Sequence, residues 1–108
     1  MQTKMISILN FSENPSGRYV TDGPNSGERF RNEVLVPALK TGMGITVSLD
    51  GALGFGSSFL EEAFGGLVRL GYRASELRNK LKILSKVGIY EKRVWRYIED
   101  EAGRQGLR

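Results

Sequence analysis

The stretch Val47-Ser-Leu-Asp-Gly-Ala-Leu-Gly-Phe-Gly-Ser-Ser-Phe-Leu-Glu-Glu-Ala-Phe-Gly-Gly-Leu67 decides how this chain is read. An apolar strand, Ile45 to Leu49, ends at Asp50, a glycine-rich turn follows, and Ser57 and Ser58 stand where a helix begins. That order aims two hydroxyls and several unpaired backbone N–H groups into solvent at a helix N-terminus. Such a position attracts anions and suits an attached phosphate. Phe59, Leu60, Ala63, Phe64, Leu67 and Val68 recur at i, i+3, i+4 and i+7, with Gly71 as a stop. The spacing predicts a helix from Ser58 to about Leu70.

Upstream, Ser26 is a good N-cap for a helix from Gly27 to about Lys40, whose stripe is Phe30, Val34, Leu35 and Ala38. Pro37 removes a backbone donor there and is expected to kink or shorten the last turn. Met5-Ile-Ser-Ile-Leu-Asn-Phe11 and Arg18-Tyr-Val-Thr21 read as strands around the turn Asn14-Pro-Ser-Gly17, which predicts an opening hairpin. Downstream, Ala74 to Asn79 reads as a short helix, Lys80-Leu-Lys-Ile-Leu84 as a strand, and Ile89 to Ala102 as a helix facing inward with Val94, Trp95, Ile98 and Ala102. Residues 103–108 are expected to fray. The sum is a single α/β domain, β-β-α-β-α-β-α, with a mixed four-stranded sheet. Right-handed crossovers would set the first two helix N-termini at one sheet edge. That edge gathers Ser26, Gly27, Gly56, Ser57 and Ser58, with Asp22 and Asp50.

The chain has 108 residues and neither cysteine nor histidine. Disulfides, thiolate nucleophiles, imidazole bases and the usual zinc sites are therefore excluded, and with them most hydrolytic and redox enzyme classes. No cofactor is implied, and no catalytic activity is expected. No run approaches a membrane span, and the N-terminus lacks the pattern of a signal peptide, so a cytoplasmic protein is expected. The net charge of +4 is uneven: residues 1–68 carry five basic and seven acidic side chains, residues 69–108 eleven and five. A basic C-terminal part suits nucleic acid or an acidic partner, or simply a solvated helix face.

Strand, acidic turn, paired serines and a helix with Gly65-Gly66 in it resemble the STAS domain of anti-sigma factor antagonists. In those proteins the first serine of an Asp-Ser-Ser-Gly turn is phosphorylated by a partner serine kinase. The chain is more closely similar to a STAS-like bacterial and archaeal family of uncharacterised function. It shares that family's Asp-Gly-x-x-Ser-Gly turn, here Asp22-Gly-Pro-Asn-Ser-Gly27, and its Gly-x-Gly-Ser-Ser-Phe-Leu-Glu-Glu segment, here Gly54 to Glu62. Over about residues 5 to 85 the resemblance implies a STAS-like fold. It also implies a protein partner, an ATP-binding serine kinase of the histidine-kinase ATPase type. Ser57 matches the phosphorylated serine, but Gly56 replaces the aspartate before it, which bears on what a kinase would meet.

Each candidate residue also has a structural reading. Ser57 or Ser58 is expected to cap the second helix. Asp22, Asn25 and Ser26 could contact a partner or an anion, or form an Asx turn feeding the cap. Glu61 and Glu62 sit in a helix first turn, where the dipole favours carboxylates, and adjacent positions point about 100° apart and rarely share a site. They read as dipole compensation and partner-facing charge. Gly65-Gly66 costs roughly 1 kcal/mol per residue against alanine, so close packing against the sheet or the first helix is expected. Gly54-x-Gly56 is too short for a dinucleotide fingerprint. Trp95, Tyr90 and Tyr97 beside Lys92, Arg93 and Arg96 could stack and hold single-stranded nucleic acid, although burial of Trp95 is the commoner outcome. The expected function is a regulatory interaction module docking through the edge around Ser57. The alternative is a nucleotide- or nucleic-acid-binding domain using the helix N-termini or the basic C-terminal helix.

Overall fold

A computed structural model describes residues 2–52 and 55–108. Strands β1 (Thr3–Ser7), β2 (Gly44–Ser48) and β3 (Leu81–Leu84) pair in that order, and both pairings are parallel. Ile6, Val47 and Ile83 share one register row and all are buried. Their neighbours alternate outward, so one face of the sheet carries the core and the other does not. Helix α1 spans 27–39 as Gly27–Phe30, Arg31–Leu35 and Val36–Leu39. Helix α2 spans 57–69 as Ser57–Leu60, Glu61–Gly65 and Gly66–Arg69. Helices α3 (Ala74–Lys80) and α4 (Gly88–Gln105) follow. Phe30, Phe59, Phe64, Leu67, Val94 and Ile98 fill the space between helices and sheet with no exposed surface.

The expected sheet of four mixed strands is corrected to three parallel ones among the described residues. The segment from Arg18 to Thr21 forms no strand, because its backbone donors are taken by side chains. Asp22 accepts from the Arg18 and Tyr19 N–H groups at 3.2 and 2.8 Å, and Glu28 accepts from Val20 N–H at 2.9 Å. A 3₁₀ turn, Val20–Asp22, results, and no opening hairpin forms. The first strand ends at Ser7, and Ile8–Phe11 coils into a helical turn that buries Ile8.

Pro37 does not shorten α1. The preceding segment, Arg31–Leu35, is a π turn in which Val36 N–H donates to the Arg31 carbonyl. That wider turn makes room for the pyrrolidine ring, which would press on a carbonyl in a regular helix. The C-terminus is likewise tied down rather than frayed. Gly106 adopts a left-handed cap (φ 69°), Leu107 N–H donates to the Ala102 carbonyl at 2.9 Å, and the Leu107 carbonyl accepts from Ala74 N–H at 2.8 Å. Among the described residues no helix is long and apolar enough to cross a membrane.

Candidate functional site at the C-terminal edge of the sheet

Parallel strands place all three strand-to-helix connections at one edge, the place where open α/β sheets most often bind ligands. The connections are joined to each other. Asp50, two residues after β2, accepts from Lys86 N–H after β3 at 2.8 Å. Beneath them runs a row of aromatic rings. Phe11 from the connection after β1 meets Phe30 edge-on at 5.1 Å, and Phe30 lies 5.8 Å from Phe59. Phe55 from the connection after β2 lies 6.2 Å from Phe59 and 4.7 Å from Tyr90, which follows β3. Interlocked rings of this kind hold a surface in shape, each pair contributing about 0.5–1.5 kcal/mol beyond burial.

On that floor α1 and α2 begin side by side, as the sequence predicts. Gly27 lies so close to α2 that a Cβ there would overlap the Phe59 carbonyl oxygen. Ser26 is fully buried and caps α1, its hydroxyl accepting from Arg29 N–H at 3.2 Å. The second helix differs from the expectation: Gly56 is its N-cap, and no side chain caps it. Ser57 and Ser58 occupy the first two helical positions, one residue too late to accept the bond a cap accepts. Both are exposed, and among the described residues neither hydroxyl has a hydrogen-bond partner. Gly54 lies outside the described residues. In the loop before α1 the Asp22 carboxylate is used within the 3₁₀ turn, and the Asn25 carbonyl accepts from Ser16 N–H at 3.0 Å.

A second cluster lies where α1, α2 and α4 meet. Arg31, in the π turn of α1, is buried, and its guanidinium pairs with the buried carboxylate of Glu62 in the π turn of α2. It also donates to the Glu62 carbonyl at 3.0 Å and to Asn32 Oδ1 at 3.1 Å. Arg69 holds Glu61, Glu62 and Glu101 at 2.8, 3.1 and 3.1 Å. Arg18 pairs with Glu61 and reaches Glu62 at 3.4 Å, and Arg104 pairs with Glu101 at 2.7 Å. Glu61 and Glu62 therefore do share a site, contrary to expectation, because long arginine side chains bridge the angle between them. Burial pushes the Glu61 carboxyl up, but hydrogen bonds from Arg69 and Arg18 outweigh it and hold the group below the usual carboxylate range. Hydrogen bonds from Gln105 and Arg104 hold Glu101 low in the same way. A carboxylate fixed in its charged form by guanidinium groups braces helices and makes a poor general acid.

Sequence reasoning missed Arg18, Arg31, Arg69, Glu101 and Arg104. One signal was present. Arg31 falls four residues from both Gly27 and Leu35, inside the apolar stripe of α1. Gly66 was the matching half: a Cβ there would overlap the Arg31 guanidinium, so this glycine makes room for that group between α1 and α2, while a Cβ at Gly65 would overlap the Glu61 carboxylate. The aromatic residues of the basic C-terminal part are engaged within the fold. Arg78 stacks over Trp95 at 4.0 Å, Tyr90 lies against Phe55, and both Trp95 and Tyr97 are partly buried.

No curated protein and no solved structure matches the chain. A family model does, described as a STAS-like domain of unknown function (DUF4325), over residues 26–86. The match opens on the buried cap Ser26, takes in both helix N-termini, β2, β3 and the Ser57-Ser58 pair, and leaves Asp22 to Asn25 just outside. It covers more than half of the 108 residues, and the chain belongs to this family of STAS-like domains.

Proposed function

We propose that the chain is a non-enzymatic regulatory module that docks a protein partner through the C-terminal edge around Ser57. The observation that carries this reading is the pair of exposed hydroxyls at Ser57 and Ser58, neither of which bonds to another described residue. They stand on a helix fixed from below by Phe55, Phe59 and Tyr90, beside the start of α1. A phosphate on Ser57 would add about −1.5 to −2 charge at pH 7, at the positive end of a helix. The fold would tolerate it while the docking edge changed sign. The partner class that fits such a switch is an ATP-binding serine kinase, as accompanies STAS proteins. Gly56 in place of an acidic residue gives that kinase a less charged approach than the antagonist turn offers.

The test compares wild type, Ser57→Ala and Ser57→Asp in recovery of whatever protein co-purifies with the wild type, each with its thermal melt. Ser57 caps nothing, so both variants should remain within about 0.5 kcal/mol of wild type. Ser57→Ala should retain the partner and Ser57→Asp should lose it. Equal recovery from all three folded proteins would reduce Ser57 to an ordinary surface residue.

A further inference from the structure

The covered face of the sheet buries Ile6, Ile45, Val47, Leu81 and Ile83, and the helices described above pack on it. The opposite face carries the register rows Met5–Thr46–Lys82 and Ser7–Ser48–Leu84. None of these six residues is buried, Met5 is 63% exposed and Leu84 38%. Parallel sheets almost always have both faces covered, since their crossovers supply helices on each side. Here a three-stranded parallel sheet shows an apolar side chain at either corner of its bare face.

We infer that this bare face docks one acidic amphipathic helix of a partner protein. Size argues for a single helix. Three strands span about 10 Å and five residues about 16 Å, which match the diameter of one helix and the length of about three turns. A second copy of this chain fits less well, because a stable dimer buries about 800 Å² per partner, several times this face. Charge argues for acidity. Lys82 stands in the face with no ion pair among the described residues. At the N-terminal sheet edge a groove of about 330 Å³ is lined by Thr46 and Lys82 of this face, by Ile45 and Leu81 of the covered face, and by Arg78 and Lys80, with no carboxylate in the lining. Lys80 pairs with Glu76 at 3.4 Å and Arg78 with Glu99 at 3.6 Å, so among the described residues Lys82 is the one of the three without an ion pair. A helix with leucines over Met5 and Leu84 and a glutamate at Lys82 would answer each of these features. None of these residues is among those named at the edge around Ser57, although Ser7, Ser48 and Leu84 end the strands that lead to it.

The probe is a synthetic three-turn helical peptide, leucines on one face and glutamates on the flanks, beside its lysine counterpart. Both are titrated into the full chain and followed by the Met5 methyl and backbone amide NMR signals. The acidic peptide should bind saturably below millimolar concentration, moving Met5, Thr46, Lys82 and Leu84 while Ser57 and Ser58 stay still. Lys82→Glu should weaken it about fivefold, and Met5→Ser should weaken it as well. Both positions are exposed, and a thermal melt checks that each variant is folded. Equal binding of the lysine peptide, shifts centred elsewhere, or no binding would overturn the inference. So would self-association that shields Met5, or single-stranded DNA displacing the acidic peptide from this face.

Discussion

Removing the two partners of the Arg31–Glu62 pair should cost different amounts, and the asymmetry follows from what each would leave behind. Their side chains are 10% and 7% exposed. Glu62→Gln keeps the shape but leaves Arg31 a buried cation that meets only neutral acceptors among the described residues: the residue 62 backbone carbonyl, Asn32 and the new amide oxygen. Breaking a buried pair in this way costs about 3–5 kcal/mol. Arg31→Met removes the cation and fills its space with an apolar chain, while Glu62 retains Arg69 at 3.1 Å and Arg18 at 3.4 Å. That change should cost about 1–2 kcal/mol, a lost charge-assisted bond without an orphaned charge. Arg31→Met with Glu62→Gln should cost less than the two single changes summed, by about 1–3 kcal/mol of coupling. Urea unfolding at pH 7 measures all four proteins, with an unchanged slope confirming that the midpoint reports stability. Equal single costs, or additivity within about 0.5 kcal/mol, would refute the reasoning.

Two further outcomes are expected. Gly27→Ala should destabilise by about 1–3 kcal/mol, because the new methyl group meets the backbone of α2 at Phe59, which cannot turn aside as a side chain would; a thermal melt within one degree of wild type would contradict that close approach. Glu61 and Glu101 are both held below their unfolded carboxyl values, so the unfolded chain binds more protons in acid and stability falls as pH drops. Their contribution should be present above the unfolded value of about 4.3 and be lost progressively as pH falls from there through the lowered folded-state values, and Glu61→Gln with Glu101→Gln should flatten the acid limb of a stability–pH curve.

What was legible in the sequence was whatever depends on local pattern. The stripe of Phe59, Ala63, Phe64 and Leu67 fixed α2 to within a residue, and alternation in Lys80 to Leu84 found β3. Right-handed crossovers then placed the starts of α1 and α2 together without any knowledge of contacts. The errors share a cause, which is that side chains distant along the chain claimed backbone groups or space that local reasoning had left free. Glu28 and Asp22 took the donors that a strand at Arg18 to Thr21 would have used. Leu107 was bonded to Ala74 across the fold, which held a tail that looked free. Of the candidate site, the serines were visible as residues, but their freedom from capping depended on the loop stopping at Gly56 instead of Ser57. The arginine network was hidden because polar residues within an apolar stripe are usually read as its boundary.

The central claim is that a protein partner meets the edge around Ser57, and site-specific photocrosslinking inside the cells that make the protein tests it most directly. A photoreactive residue would replace Ser58 in one variant and Arg96, exposed on α4, in another. Ser58 should give one discrete adduct, lost on adding Ser57→Asp, and Arg96 should give none. An adduct from Arg96 alone, or a Ser58 adduct indifferent to Ser57→Asp, would contradict the account.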